Sequence, residues 1–207
     1  MPENPATERR RRVIVAGHEG DLDGARAGLT DADGVVRAAA LGAVARLGAL
    51  DAQALLVALS DPDAAVRRRA LELSPAVGNP QGPTILAEAV RRCLADDDAL
   101  VVESACWALA ERDDRQAVLP IARVAGHHDD TRCREAAVAA LGALGEPSGL
   151  EAVLAALEDK PTVRRRAVVA LAAFEGPEVE AALRRSLEDR DWQVRQSAQI
   201  LLGEDPS

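Results

Sequence analysis

The sequence predicts an all-α fold in which short helical hairpins stack one after another into an α-solenoid. Two observations lead to this prediction. Of the 207 residues, 48 % are hydrophobic but only 1 % are aromatic, so the core must be built mainly from Ala, Leu and Val. Ala and Leu favour helices, and Ala lets helices approach closely. In addition, one short phrase recurs six times at a nearly constant interval, which is typical of a repeat architecture.

The recurring phrase is Asp, two residues, Val-Arg, two residues and Ala. Its first copy contains Asp33, Val36, Arg37 and Ala40. The Arg slots at positions 37, 67, 102, 134, 164 and 195 lie 30, 35, 32, 30 and 31 residues apart. An interval just above 30 residues accommodates two short helices and two turns. The third copy departs from the phrase, because Val102 stands where Arg is expected.

The first predicted element, over residues 1–19, is an N-terminal capping helix or tail. It contains the basic cluster Arg9–Arg12, followed by the apolar run Val13–Val15. We favour a solvated helix face for the arginines. An acidic partner, RNA or a membrane surface is the alternative. The apolar run is too short for the core of a signal peptide or for a membrane span, which favours a cytoplasmic location.

Six hairpins are predicted to follow, over approximately residues 20–48, 49–78, 83–112, 114–145, 147–176 and 177–203. In each hairpin the first helix carries leucines three or four residues apart. The second helix begins near the Val and buries it together with the residues four, seven and eight positions further on. Gly residues are predicted to end four second helices. These are Gly48, Gly78, Gly145 and Gly176. The stretch 78–83 is predicted to be a loop, since it is composed of Gly, Pro, Asn and Gln.

This pattern resembles the HEAT-repeat family, especially the short HEAT-like repeats of phycobilisome lyases, over roughly residues 20–203. The resemblance implies a right-handed α–α superhelix. It also implies that the Asp and Arg slots pair between neighbouring repeats. For function it implies a broad range that includes scaffolds, chaperones, pigment lyases and regulatory subunits, so the fold alone does not select an activity.

The recurring Asp and Arg residues are predicted to be structural. An Asp just before a helix caps its N-terminus, and a guanidinium can bind a carboxylate and a turn carbonyl at once. Repetition itself argues against catalysis, since an active site needs one constellation of residues and not six copies. The predicted structural ladder comprises Asp33, Arg37, Asp63, Arg67, Arg134, Arg164, Asp191 and Arg195.

A partner-binding site is predicted on the second helices, which line the concave face of such solenoids. The positions two and six beyond the Val point away from the core there. Trp107 is the notable residue, because Gly, Ala or Glu occupies its slot in three of the other copies. It is predicted to be either a surface anchor or a filler of the gap between small residues. The predicted site comprises Trp107, Glu103, Arg68, Glu72, Glu135 and Arg165.

Composition and motifs narrow the classes of function. With 25 basic and 34 acidic residues the chain carries a net charge of −9, which disfavours nucleic acid. The three cysteines show no paired spacing, which indicates free thiols. His127, His128 and Cys133 lie close together, but adjacent histidines rarely converge on one ion and Cys133 occupies the buried Val slot. No metal site, cofactor or catalytic residue is therefore predicted.

The leading hypothesis is a non-catalytic scaffold that binds a protein partner on the concave face. Three alternatives stay open. One is a tetrapyrrole lyase or chaperone-like protein, suggested by the resemblance alone, in which Arg68, Arg165 and Trp107 would hold the ligand. Another is a nucleic-acid-binding helical-repeat protein. A small-molecule ligand beside Trp107 is the third. Trp192, in the last copy, is predicted to cover the end of the stack.

Overall fold

The computed structural model describes residues 4–77 and 85–203, and within these ranges the fold is all-α, as predicted. The chain divides into two compact units, Met1–Cys93 and Leu94–Ser207. The first unit contains α1 (Pro5–Glu19), α2 (Leu22–Ala27), α3 (Gly34–Arg46), α4 (Ala52–Ala58), α5 (Ala64–Leu73) and α6 (Ile85–Arg92). The second contains α7 (Ala99–Glu111), α8 (Val118–His127), α9 (Thr131–Leu144), α10 (Leu150–Ala155), α11 (Pro161–Ala170), α12 (Pro177–Ser186) and α13 (Trp192–Leu202).

The second helices of the predicted hairpins pack side by side within each unit. In the first unit α1 contacts α3, and α3 contacts α5. In the second unit α7, α9, α11 and α13 form a continuous row in which each helix contacts the next. The first helices are shorter, and several end in a 3₁₀ turn such as Gly28–Thr30 and Ala156–Glu158. This arrangement is that of a helical-repeat solenoid.

The buried faces of the second helices follow the predicted periodicity with one addition. In α11 the four predicted core residues, Val163, Ala167, Ala170 and Leu171, are all buried. In α5 Val66, Ala70 and Ser74 are buried, but Leu73 is only partly so. The residue five positions beyond the Val, Leu71, is fully buried instead. In the second unit α9 and α11 each pack between two second helices, and the residues five positions beyond their Val slots, Val138 and Val168, are likewise fully buried. The buried face of these helices is therefore wider than the stripe of a surface helix.

The N-terminal segment forms the predicted helix, α1, which is 15 residues long. Val13 and Ala16 pack into an apolar cluster with Val36, Ala40 and Val44 of α3 and its neighbours. The helix therefore covers the first hairpin with its apolar side.

Of the glycines predicted to end second helices, two do so and one does not. Gly145 ends α9 in the left-handed conformation, with φ of 59°, and Gly48 adopts φ of 68° just after α3. Gly176 instead precedes α12 as its N-cap, with φ of 128°, so the prediction that it ends a second helix is wrong. The reason is that α11 has already ended at Ala170, followed by a 3₁₀ turn. Gly78 and the predicted loop 78–83 lie outside the described residues.

Candidate functional site

The recurring Asp residues cap the second helices. The side chain of Asp33 accepts a hydrogen bond from the backbone N–H of Val35 at 2.9 Å. Asp63 caps α5 and Asp191 caps α13 in the same way. This bond satisfies one of the amides that have no partner inside the helix. These three residues are therefore the N-caps of α3, α5 and α13.

The ion pairs between neighbouring repeats use a different carboxylate from the predicted one. Arg37 binds both oxygens of Asp61 at 2.6 and 2.7 Å, not the capping Asp63. Asp61 lies two residues before the cap, and it also accepts the backbone N–H of Asp63. The prediction that the capping Asp residues pair with the Arg of the neighbouring repeat is thus wrong, because the guanidinium reaches the carboxylate that lies earlier in the turn. Equivalent pairs join Arg9 to Asp31, Arg134 to Asp159 and Arg164 to Asp189, although Asp159 lies one residue and not two before its cap, Lys160.

Each ladder arginine also binds a carbonyl of its own turn, as predicted. Arg37 Nη1 donates to the carbonyl of Asp31 at 2.8 Å, and Arg67 Nη1 donates to that of Asp61 at 2.8 Å. Arg195, at the end of the second unit, donates to the carbonyl of Asp189 at 2.7 Å. Among residues 4–77 and 85–203, no carboxylate pairs with Arg195.

These pairs keep the ladder groups charged at neutral pH. The hydrogen bond from Arg134 holds the pKa of Asp159 below its ordinary value, and the bond from Arg164 does the same for the pKa of Asp189. The pKa values of both arginines are raised by the same bonds. A general acid or base works best with a pKa near the operating pH. The shifts move these groups away from that range, which agrees with a structural role.

The ladder is interrupted once in the second unit, and both partners are replaced there together. Val102 occupies the Arg slot of α7 and is fully buried. The matching acceptor position, two residues before the α9 cap Asp130, is His128. His128 Nδ1 still accepts the backbone N–H of Asp130 at 3.0 Å, as the ladder aspartates do at their own caps. The interruption therefore leaves no carboxylate without its guanidinium.

The exposed face of the second helices in the second unit carries Trp107. Its side chain is 47 % exposed on α7, so the structure favours the surface anchor over the gap filler. At the equivalent slots of α11 and α13 lie Val169, 48 % exposed, and Ile200, 66 % exposed. Glu103 is half-buried one turn before Trp107, and its side chain forms no hydrogen bond or ion pair among the described residues. Three large apolar side chains thus face solvent along one row of helices.

The charged members of the predicted site are partly engaged with each other. Glu135 on α9 forms an ion pair with Arg166 on α11 at 3.4 Å. Arg165, predicted as a binding residue, donates from Nη1 to Gln193 at 2.7 Å. These contacts hold charged groups at fixed positions between the helices.

The two remaining predicted site residues, Arg68 and Glu72, belong to the first unit. Glu72 forms an ion pair with Arg69 at 2.8 Å. Arg68 is half-buried, and its Nε is buried without a hydrogen-bond partner. The structure therefore divides the six predicted residues between two units, with four of them in the unit of Trp107.

The thiols of the second unit are unsuited to nucleophilic chemistry. Burial raises the pKa of Cys106 to about 12 and that of Cys133 to about 11. Cys133 Sγ also donates to the carbonyl of Ala99 at 3.1 Å. The thiolate is the reactive form, so both groups are unreactive at neutral pH. Within the described ranges, no cluster of His, Cys, Asp and Glu could hold a metal ion, and no helix is long and apolar enough to cross a membrane.

Family models agree with the repeat pattern. The model described as HEAT repeats matches residues 86–162, and the one described as PBS lyase HEAT-like repeat matches residues 163–189. Together they cover residues 86–189, which is half of the chain. The chain belongs to the HEAT-repeat family. No curated protein matches its sequence.

Solved structures share the HEAT-repeat fold at low sequence identity. The Escherichia coli protein YibA is 17 % identical, with a TM-score of 0.66 over 98 % of this chain and 76 % of its own. The CpcE–CpcF complex of phycocyanin lyase from Nostoc is 23 % identical, with a TM-score of 0.61 over 88 % of this chain and 76 % of its own. A designed armadillo repeat protein in complex with the peptide (KR)4 is 18 % identical, with a TM-score of 0.57 over 97 % and 99 %.

Proposed function

We propose that this HEAT-repeat protein is a non-catalytic scaffold that binds a protein partner through the second helices of its second unit. The observation that carries the proposal is the exposure of Trp107, 47 % of whose side chain faces solvent in a chain with only three aromatic residues. Trp is the residue type most enriched at the energetic centres of protein interfaces. An exposed Trp on a rigid helix offers a large contact area at a small loss of side-chain entropy.

The surroundings of Trp107 fit an interface. Val169 and Ile200 extend the apolar surface along the same row of helices, at 48 % and 66 % exposure. The Glu135–Arg166 pair and the Arg165–Gln193 hydrogen bond supply polar groups on the helices of this row. Protein interfaces combine an apolar centre with a polar surround in this way. The face is built on helices that pack against each other, so its residues are held in place before a partner arrives.

The ionisable groups support a binding role over catalysis. The ladder carboxylates have lowered pKa values, and the thiols of Cys106 and Cys133 have raised ones. Solved relatives of the fold add two precedents for protein binding. One is the armadillo repeat protein that holds the peptide (KR)4, and the other is the pairing of CpcE with CpcF.

A second candidate function is a tetrapyrrole lyase or chaperone-like activity. The match to the PBS lyase HEAT-like repeat over residues 163–189 and the similarity to the phycocyanin lyase complex favour it. The ligand-holding residues first considered for it are less suitable. Arg165 is engaged by Gln193, and Arg68 lies in the other unit from Trp107. Absorbance titration with a linear tetrapyrrole separates the two functions, since a scaffold leaves the pigment spectrum unchanged.

The proposal is tested by affinity capture from the native cell with mass spectrometry, using the full chain. Trp107→Ala is the test variant. Trp192→Ala is a matched control, because Trp192 is 60 % exposed at the first turn of α13. We expect Trp107→Ala to lose partners that the wild type and Trp192→Ala both retain. Recovery of the same partners by all three proteins would refute a role for Trp107 as the anchor.

A further inference from the structure

A groove in the first unit lies outside the surface to which the scaffold proposal assigns partner binding. It runs along the exposed sides of α1, α3 and α5 and has a volume of about 400 Å³. Its cationic groups are Arg10 on α1, Arg46 on α3 and Arg69 on α5, and the imidazole of His18 also lines it. No Asp or Glu is among the residues that line it. The groove is therefore a cationic surface in a protein whose net charge is −9.

The net negative charge of the chain comes from the other unit. Residues 1–93 contain twelve acidic residues and twelve arginines, so the first unit is neutral. Residues 94–207 contain 22 acidic and 13 basic residues, which accounts for the whole net charge of −9. At physiological salt, charges separated by more than about 8 Å are largely screened. The groove therefore presents its local charge and not the charge of the whole chain.

Two of the groove arginines are available to a ligand. Among the described residues, neither Arg10 nor Arg46 forms a hydrogen bond or an ion pair. Two other arginines of α1 do have partners, since Arg9 is bound to Asp31 and Arg12 to Glu8. Within the basic cluster Arg9–Arg12, Arg10 is the member that lines the groove. Arg69 is less available, since it also pairs with Glu72 at 2.8 Å.

The floor of the groove is formed by apolar and small side chains. Ile14 on α1 is 39 % exposed and Val35 on α3 is 48 % exposed. Small residues of α3 lie between them, and a Cβ added at Gly42 would lie 2.8 Å from Arg69 Nη2. The glycine therefore makes room for the Arg69 guanidinium to lie across α3. An apolar floor beside arginines suits a ligand that is itself amphipathic.

We propose that this groove binds an acidic amphipathic peptide segment of a partner protein, with carboxylates on Arg10 and Arg46 and apolar side chains on Ile14 and Val35. Charge complementarity identifies the occupant, because the lining offers cations and no carboxylate. A nucleic acid is a poorer match, since no aromatic residue lines the groove for base stacking. The proposal goes beyond the scaffold role, because it concerns the other unit and does not depend on Trp107.

Fluorescence anisotropy on the full chain tests the proposal. The probe is a labelled peptide of about fifteen residues with Glu on one helical face and Leu on the other, which matches the 15-residue length of α1. Two comparison probes are the same peptide with Lys in place of Glu and a single-stranded oligonucleotide. We expect the Glu/Leu peptide to bind most tightly at about 0.1 M salt and to weaken as salt is raised.

Charge reversal locates the binding. The double variant Arg10→Glu/Arg46→Glu is expected to bind the Glu/Leu peptide about ten-fold or more weakly, because each exposed ion pair contributes up to a factor of about five. Arg11→Glu/Arg26→Glu is the matched control, since both residues are exposed and do not line the groove. Equal weakening in the two variants, or tighter binding of the Lys/Leu peptide or the oligonucleotide, overturns the proposal. Trp107→Ala is expected to bind the Glu/Leu peptide as the wild type does, which keeps this test separate from that of the scaffold face.

Discussion

The Arg164–Asp189 pair is expected to stabilise the second unit by about 2 kcal/mol, measured as the coupling between the two side chains. Arg164 donates to both oxygens of Asp189 at 2.7 and 2.8 Å, and the side chains are only 6 % and 15 % exposed. Removing one partner of a fully buried pair costs about 3–5 kcal/mol, whereas an exposed pair contributes about 0–1 kcal/mol. Asp189 retains the backbone N–H of Asp191 at 2.8 Å and some contact with water, which places the value between these limits.

A double-mutant cycle measures this coupling. The free energy of unfolding is determined from urea denaturation, followed by circular dichroism, for Arg164→Met, Asp189→Asn and the double variant. The exposed pair Glu180–Arg184 on α12, with side chains about 60 % exposed, is the control in the same unit. Its coupling is expected to be about 0.5 kcal/mol or less. Equal couplings for the two pairs would refute the view that burial makes the ladder strong.

The coupling between Arg164 and Asp189 also has a defined pH dependence. The bond from Arg164 lowers the pKa of Asp189 from its ordinary value of 3.8. A carboxyl whose pKa is lower in the folded state contributes stability that is fully present above the unfolded value. This contribution is lost as the pH falls through the lowered pKa. We therefore expect the same coupling at pH 7 and at about pH 5, with a decrease only below pH 3.8.

Three further groups of experiments concern the second unit. Gly142→Ala is expected to destabilise it by about 1–3 kcal/mol in urea denaturation, because the added Cβ would lie 2.7 Å from a Cβ of α11. Gly126→Ala, whose Cβ would meet nothing within 4 Å, is expected to stabilise it by about 0.5–1 kcal/mol, and destabilisation there would contradict the packing described. Val102→Arg alone is expected to cost about 2–4 kcal/mol, since it buries a guanidinium without a carboxylate. Adding His128→Asp is expected to recover at least about 1 kcal/mol of that loss, and a double variant no more stable than the single one would show that the two positions are not a replaced pair. The buried thiols of this unit are expected to resist iodoacetamide at pH 8 and to react after unfolding in urea, as monitored by mass spectrometry. Rapid labelling of the folded protein would contradict their burial.

The fold was predictable because the apolar residues of each repeat recur at the spacing of one helix face, and that face forms the core. The spacing of Val163, Ala167 and Leu171 places them on one side of a helix, and all three are buried. The capping role of Asp33 follows from its position just before a helix, which is a local property of the chain. Such features depend on nearest neighbours in sequence, and one copy of the repeat supports the interpretation of the next.

The ion pairs show where prediction from the sequence fails. Arg37 and Asp61 are 24 residues apart, and Asp63 is an equally acidic candidate two residues away. Which carboxylate is used depends on the three-dimensional path of the turn. A signal was present in the sequence, because an acidic residue precedes the cap by two positions in most copies and His128 replaces it after the copy that lacks Arg. This covariation between adjacent copies identifies the partner.

The exposure of Trp107 could not be predicted from its slot alone. The slot six positions beyond the Val points outward, but a large side chain there can also fold back over Ala residues. The groove of the first unit was missed for a related reason. It depends on three helices meeting along their exposed sides, and its residues, such as Arg10 and Arg46, are far apart in the sequence.

The direction of the ladder has a consequence for how proteins of this kind change length. In Arg37–Asp61, Arg134–Asp159 and Arg164–Asp189, the guanidinium always belongs to the earlier hairpin and the carboxylate to the later one. A duplicated hairpin therefore carries a carboxylate for the preceding hairpin and a guanidinium for the following one. A gene can gain or lose whole hairpins without evolving a new ion pair between them. The copy with Asp159 and Arg164 has one residue fewer between acceptor and arginine than its neighbours, yet its ion pairs with the preceding and the following hairpin both form. The ladder therefore tolerates a change of one residue in the turn as well as the gain or loss of a whole hairpin.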